Sequence, residues 1–415
     1  MSAEPESLRG YLTADQGTTP TGAVRPSSPA IDDVVETEPT EFDPGDVKLT
    51  KALPANVAML CVTGTSVDGQ PSFVLNFHYR GGVRTAARPS DLADQRPPDL
   101  ALATLAERTR GQGTPWQDAY WECMNWADTK HKLVTWIRDL LAAPDAPRLV
   151  VWDNTDYEIP WELYYHRPSG GAEGAGWLGE LIPVIRWTAV HDGARAWQFS
   201  ARKRECVGGL LMFEDPKMGV EPDGFARYEL EARARTMREL MRRLDRPCQP
   251  FGLLVIRCHG EYSRDTRKFK LGGLPLNAYT EFTMHALQQS GALVLLNACV
   301  SGRPVVDERH PSTATRSFAE VFLRYGAGGV IATAGDVDLN HSHDFAVRLL
   351  SDANSRPVNV AEALREHRKH YANRVRYRPG AADNRTEQQF KDFFASFMYL
   401  YFGHPDTILR TGDTP

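Results

Sequence analysis

At 415 residues, 42% of them hydrophobic, the chain is long enough for a large buried core and for two or three domains. Its 48 basic and 53 acidic residues leave a formal net charge of −5, which excludes a general electrostatic attraction to nucleic acid or to an anionic membrane. No apolar run approaches the roughly 20 residues needed to span a bilayer, and Met1-Ser2-Ala3-Glu4-Pro5-Glu6 lacks the basic and apolar regions of a signal peptide, so a cytoplasmic protein is expected.

Residues 1–47 are rich in Pro, Ser, Thr and Gly, and the stretch from Asp32 to Asp46 holds seven acidic residues and no basic one. Such a segment cannot bury enough surface to offset its ordering entropy, so a disordered tail is expected, either a solvated terminus or a docking or inhibitory prosegment. Order is expected from residue 48 to 145 as a small α+β region. Val57-Ala58-Met59-Leu60-Cys61-Val62 and Ser72-Phe73-Val74-Leu75-Asn76-Phe77, separated by Asp68-Gly69-Gln70-Pro71, predict a β-hairpin. A short helical pattern runs from Leu100 to Arg110 and a longer one from Trp116 to Ala142. In the latter, Trp121, Met124, Trp126, Leu133, Trp136, Ile137 and Leu140 form a stripe read as core, because a base-stacking platform would need interleaved basic residues.

From 146 to 405 strands alternate with helices. Strands are predicted at Leu149–Trp152, Val207–Met212, Phe251–Ile256, Ala292–Leu296 and Val330–Ala334, with helices at about Tyr228–Leu244 and Ser317–Tyr325. This rhythm predicts an α/β fold, a mostly parallel sheet flanked by helices on both faces. Residues 406–415 are read as a carboxyl-terminal tail. No repeat array accompanies the unit.

Two apolar runs end in chemistry. Phe251–Ile256 is followed by Arg257-Cys258-His259-Gly260, and Ala292–Leu296 by Asn297-Ala298-Cys299. In open α/β sheets the crevice beyond the strands' carboxyl ends gathers functional side chains. A thiol of pKa about 8.5 becomes an effective nucleophile when an imidazole takes its proton, so Cys299 is the candidate nucleophile and His259 the general base and acid. The backbone N–H groups of Gly260 and Cys299 are candidate oxyanion-hole donors.

A histidine that precedes the cysteine by 40 residues resembles the caspase arrangement. Four stretches make the resemblance specific: Pro160-Trp161-Glu162-Leu163, Cys258-His259-Gly260, Asn297-Ala298-Cys299-Val300-Ser301-Gly302 and Tyr325-Gly326-Ala327-Gly328-Gly329-Val330-Ile331-Ala332. Together they resemble the CHAT domain, a bacterial caspase and separase relative of peptidase clan CD. The departures are Cys258 where many members carry Thr, and Ala334-Gly335 where they carry Leu-Trp. The first is expected to be harmless, since alternation sends residue 258 away from the face of 259. The second touches the substrate pocket. The resemblance implies a caspase-like cysteine endopeptidase cutting a partner protein in antiviral defence or programmed cell death, with a gasdermin-like protein or another protease as target and an upstream protein as activator.

The separase-like branch places acids where Asp336 and Asp338 stand, which implies a pocket for Arg or Lys before the scissile bond. The loop after the cysteine, a processing point in caspase relatives, offers Arg303, Arg309 and Arg316 as self-cleavage positions. Two other readings stay open: a catalytically latent scaffold with a vestigial dyad, and a cysteine hydrolase of small amides.

The six cysteines, at 61, 123, 206, 248, 258 and 299, show no zinc-like spacing, and no metal or other cofactor is implied. Gly326-Ala327-Gly328-Gly329 precedes a strand and reads as a tight turn, not a phosphate cradle. His341 and His343 read as neutral loop histidines, and His367 and His370 as members of a solvated helix face.

Overall fold

The structure, a computed structural model, describes residues 56–411 with short internal breaks and longer ones at 86–114, 306–316 and 377–384. The expected tail at 1–47 and the helix expected at Leu100–Arg110 lie outside the described residues.

Ten strands form one sheet: β1 (Val57–Val67), β2 (Gln70–Tyr79), β3 (Gly82–Thr85), β4 (Arg148–Asp153), β5 (Val184–Trp187), β6 (Gly209–Glu214), β7 (Phe251–Arg257), β8 (Leu293–Asn297), β9 (Gly329–Thr333) and β10 (Tyr399–Gly403). Their spatial order is β6-β7-β8-β9-β10-β5-β4-β1-β2-β3. Strands β6 to β9 are mutually parallel, β10 runs antiparallel to β9, and β10, β5, β4 and β1 are again parallel to one another. The fold is the α/β, mostly parallel architecture expected. The hairpin β1–β2 is no separate element, for β1 pairs with β4 and extends the same sheet.

Every residue of β7, β8 and β9 is buried, which is why these strands read as unbroken apolar runs: helices cover both faces. The helices used here are α1 (Trp116–Asp128), α2 (His131–Leu141), α3 (Met237–Leu244), α4 (Phe318–Arg324), α5 (Leu339–Ser355), α6 (Val360–Val375) and α7 (Glu387–Phe397). On one face Leu254, Ile256, Val294, Leu296, Val330 and Ala332 pack with α3, α4 and α7; on the other Leu253, Val255, Leu293, Leu295 and Ile331 pack with α5 and α6. The aromatic stripe is core, as expected. It is carried by two helices, α1 and α2, and Tyr120 of α1 meets the rings of Phe390 and Phe393 of α7 at 5.3 and 5.4 Å.

Two boundaries differ from the sequence reading. The helix expected from Tyr228 begins at Met237, where Thr236 caps it by accepting from the Glu239 N–H at 3.1 Å. Residues 229–234 lie along the edge of β6 instead, bonded from Leu230 N to Leu210 O and from Ala234 N to Met212 O. Ile408–Arg410, expected in a tail, forms a strand between Glu205–Val207 and Val358–Asn359.

Pro160-Trp161-Glu162-Leu163 anchors the sheet beneath these layers. Trp161 donates from Nε1 to Asp153 at 2.7 Å, and the buried Glu162 takes a bidentate ion pair from Arg186 of β5, with Nε to Oε1 at 2.8 Å. Burial pushes the Glu162 carboxyl up, but the Arg186 guanidinium outweighs it and holds the group below the usual range. A depressed carboxyl supplies stability that is complete above its unfolded pKa of about 4.3 and lost as pH falls through the lower folded value. Glu162→Gln leaves Arg186 buried and uncompensated, and is expected to cost about 3–5 kcal/mol in urea unfolding at neutral pH. The gap from the wild type should close as the pH drops well below about 4; a constant gap would place the effect elsewhere.

Candidate active site

The parallel register of β7 and β8 pairs Arg257 with Asn297, so His259 and Cys299 each stand two residues beyond a matched position at the same edge of the sheet. The two chains close on each other there. A Cβ built on Gly260 would lie 1.9 Å from the Cys299 carbonyl oxygen, so only glycine allows this approach. His259 is exposed, whereas Cys258 is 1% exposed and joins the core, as alternation predicts. Burial, with the Asp215 carboxylate, pushes the Cys258 thiol far up, so it is inert.

The polar stretch after Gly260 is largely a loop, bracketed by a small antiparallel sheet of Gly260–Glu261, Lys270–Leu271 and Leu274–Pro275. The bond from Gly272 N to His259 O at 3.1 Å makes Gly260 and Leu271 a non-hydrogen-bonded pair, which turns the Gly260 N–H out of that ladder.

Cys299 sits at a strained turn. Val300, a β-branched residue, has φ 55°, a conformation that costs on the order of 1–3 kcal/mol and persists only when its surroundings hold it. The end of β9 does the holding: Val300 N bonds to Gly335 O at 3.1 Å, Gly302 N to Thr333 O at 2.8 Å, and Thr333 Oγ1 to Ala298 O at 2.5 Å. Ser301 Oγ accepts from Thr333 N at 3.1 Å and donates to Leu296 O at 3.3 Å. Asn297 fixes the turn from the other side, donating to Ser342 O of α5 and accepting from the Tyr399 hydroxyl of β10, each at 2.9 Å.

Burial and then the Asp336 carboxylate push the half-buried Cys299 thiol up to about 11. Asp336 stands close enough for its carboxylate to act on this thiol. Asp336 and Asp338 line one cavity of about 150 Å³ together with Trp116, Val337, Lys391, Phe394, Ala395 and Met398. Asp338 has other work: it caps α5 by accepting from Asn340 N at 3.0 Å, and Lys391 Nζ stands 3.9 Å from it. The sequence reading missed Trp116, Lys391 and Phe394. Where the resemblance expects a Trp, this chain has Gly335, and the indole lining the cavity arrives from α1, its ring 5.1 Å from that of Phe394 and tilted 37° to it.

Arg303 is 7% exposed; its guanidinium lies 3.6 Å over the Tyr262 ring and 3.4 Å from Glu158. It therefore ties the chain after Cys299 to the small sheet after His259, and does not offer an open backbone for cutting. Arg309 and Arg316 lie outside the described residues. His341 and His343 lie on α5, not in a loop, and His367 is buried, not solvated: His341 and His367 face each other with Nε2 atoms 3.1 Å apart. Burial pushes both imidazoles down, His341 to about 4, so the pair is neutral. Among the described residues no group of three or more His, Cys, Asp or Glu side chains could hold a metal ion, and no helix is long and apolar enough to cross a membrane.

An open, mostly parallel α/β sheet that brings a histidine and a cysteine to adjacent strand ends defines a caspase-like class of protein. The CHAT domain family matches residues 189–401, just over half of the chain, and the chain belongs to that family, a caspase-like family of clan CD. The match takes in β6 to β9 and both motifs, while β4 and the Glu162 word precede it. No curated protein matches the chain.

Gly260→Ala tests the approach of the two strand ends. The added methyl must displace the Cys299 backbone, with an expected loss of about 1–3 kcal/mol in unfolding free energy and a change in Cys299 alkylation rate; unaltered stability and alkylation would mean that the ends are not in contact.

Proposed function

We propose that the protein is a cysteine endopeptidase that cuts a partner protein through a thioester on Cys299. The observation that supports this reading is the close approach of Gly260 to Cys299, with His259 and the cysteine each two residues beyond paired positions on neighbouring strands. His259 takes the thiol proton, gives it to the leaving amine, and then activates the water that hydrolyses the thioester. The N–H groups of Gly260 and Cys299 receive the oxyanion; the outward turn of the Gly260 amide supports that role.

Cleavage after Arg or Lys is the proposed specificity. Support comes from the cavity that Asp336 and Asp338 line, where Asp338 also caps α5 and stands 3.9 Å from Lys391. Self-cleavage after the cysteine is proposed at Arg309 or Arg316 rather than at the enclosed Arg303. A cytoplasmic setting, a role in antiviral defence or cell death, a gasdermin-like or protease substrate and an upstream activating protein rest on the family alone. One observation favours the second reading, a latent scaffold: burial and the neighbouring Asp336 carboxylate favour the protonated thiol.

A panel of fluorogenic peptides that differ only before the scissile bond tests both readings. Wild-type protein should prefer Arg or Lys, and Cys299→Ala or His259→Ala should lower turnover by more than about a thousandfold. Turnover that survives Cys299→Ala would remove the nucleophile, and a preference for Asp would remove the acidic pocket.

A further inference from the structure

A second cavity, of about 400 Å³, opens between α5 and α6 and shares no lining residue with the one beside Cys299. That volume falls in the range of small-ligand sites, roughly 300–1,000 Å³. Its walls are sorted by charge. Arg348, Asp352 and Arg356 recur every four residues along α5 and its cap, on one face of the helix, and give that wall a net positive charge. Glu362 and Glu366 stand at the same spacing on α6, where Arg365 binds both carboxylates; with His370 neutral, because burial lowers its pKa, this wall stays net negative. Among the described residues no ion pair crosses from one wall to the other, although both line the same space. Beneath the charged rims the lining is apolar, made by Phe345, Leu349, Val358 and Ala363. His367, at 4% exposed, lines the cavity too: its Nε2 meets that of His341 at 3.1 Å, while its Nδ1 is buried with no hydrogen-bond partner.

We infer that this cavity is a binding site for a zwitterion with an apolar body and an internal amide, that is, a short peptide with free termini. The ligand's carboxylate meets the arginines of α5, its ammonium meets the carboxylates of α6, and its side chains fill the apolar floor. Two charge-assisted contacts of opposite sign fix the direction in which it lies. A ligand of one sign satisfies one wall and sets its charge against the other. His367 adds a polar contact in the floor. A bond between two Nε2 atoms requires one ring to donate and the other to accept, so the Nδ1 of His367 is a bare acceptor when its Nε2 donates and an N–H donor when its Nε2 accepts. A peptide group carries both a donor and an acceptor and pairs with either form. The orphaned nitrogen is then accounted for by a partner that arrives with the ligand. The inference does not depend on Cys299 being a nucleophile, so it and the peptidase reading fail in separate experiments.

The test is isothermal titration calorimetry of the intact chain with three ligands of one shape: alanylphenylalanine, its N-acetyl derivative, which lacks the ammonium, and its carboxamide, which lacks the carboxylate. The dipeptide is expected to bind once per chain, and removal of either terminal charge to weaken binding by about tenfold or more. Two double variants locate the contacts, Arg348→Gln with Arg356→Gln and Glu362→Gln with Glu366→Gln; none of the four side chains is buried, and thermal melts without ligand check that both proteins fold. The arginine variant should bind the dipeptide and the carboxamide alike, and the glutamate variant the dipeptide and the N-acetyl derivative alike. No saturable heat from the dipeptide on wild type would overturn the inference, as would a capped ligand that binds as tightly as the dipeptide; neither comparison needs a variant. Full discrimination retained by both double variants would also overturn it, since the charges would then be read elsewhere on the protein.

Discussion

The contact between Gly260 and the Cys299 carbonyl is the constraint on which the site depends. Parallel strands sit about 4.8 Å apart, and loops leaving their ends ordinarily diverge. Here the two chains converge instead, with no room for a Cβ. Convergence sets the backbone of Gly260 against that of Cys299, with the histidine that precedes it at the same edge of the sheet. It also forces a price in backbone geometry, taken at Val300, where a β-branched residue adopts a left-handed φ. The bonds from Thr333, Gly335 and Ser301 keep that turn from relaxing.

Around this centre polar side chains spread the site over distant parts of the chain. Asn297 joins β8 to α5 and β10 through one amide group. Arg303 crosses from the cysteine turn to the small sheet after His259. Asp338 ends the same short segment that Asp336 begins, so the capping of α5 and the placement of the acid beside Cys299 are one structural event. Further from the cleft, Glu162 and Arg186 tie the loop after β4 to β5 in a bidentate pair that burial makes costly to break.

Much of this was legible along the chain. The buried strands β7, β8 and β9 announced themselves as continuous apolar runs, and the motif words at their ends marked the candidate nucleophile and base before any geometry was known. Local chemistry also placed α4, where Ser317 and Glu320 form a capping box. The misreadings share a cause. The segment 229–234 is charged enough to suggest an exposed helix, but the open edge of β6 offered it backbone partners, a competition no local pattern reports. His341, read as a loop histidine, and His367, read as part of a solvated face, lie 26 residues apart, and their burial comes from each other and from Phe345, Tyr371 and Tyr399.

By itself the sequence determined the α/β class, the order of strands and helices in this region, and which histidine and cysteine end adjacent strands, since periodicity and strand-end position are local properties of the chain. Only the tertiary structure decided that Gly260 touches Cys299, that Val300 is strained, that Arg303 is enclosed, and that Asp336 lies near the cysteine while Asp338 is occupied as a cap. It alone brought Trp116 and Phe394 to the cavity, from helices 271 or more residues apart in places. These are facts of distance between remote segments, set by sheet register and by the packing of helices over it, and no single stretch of residues contains them.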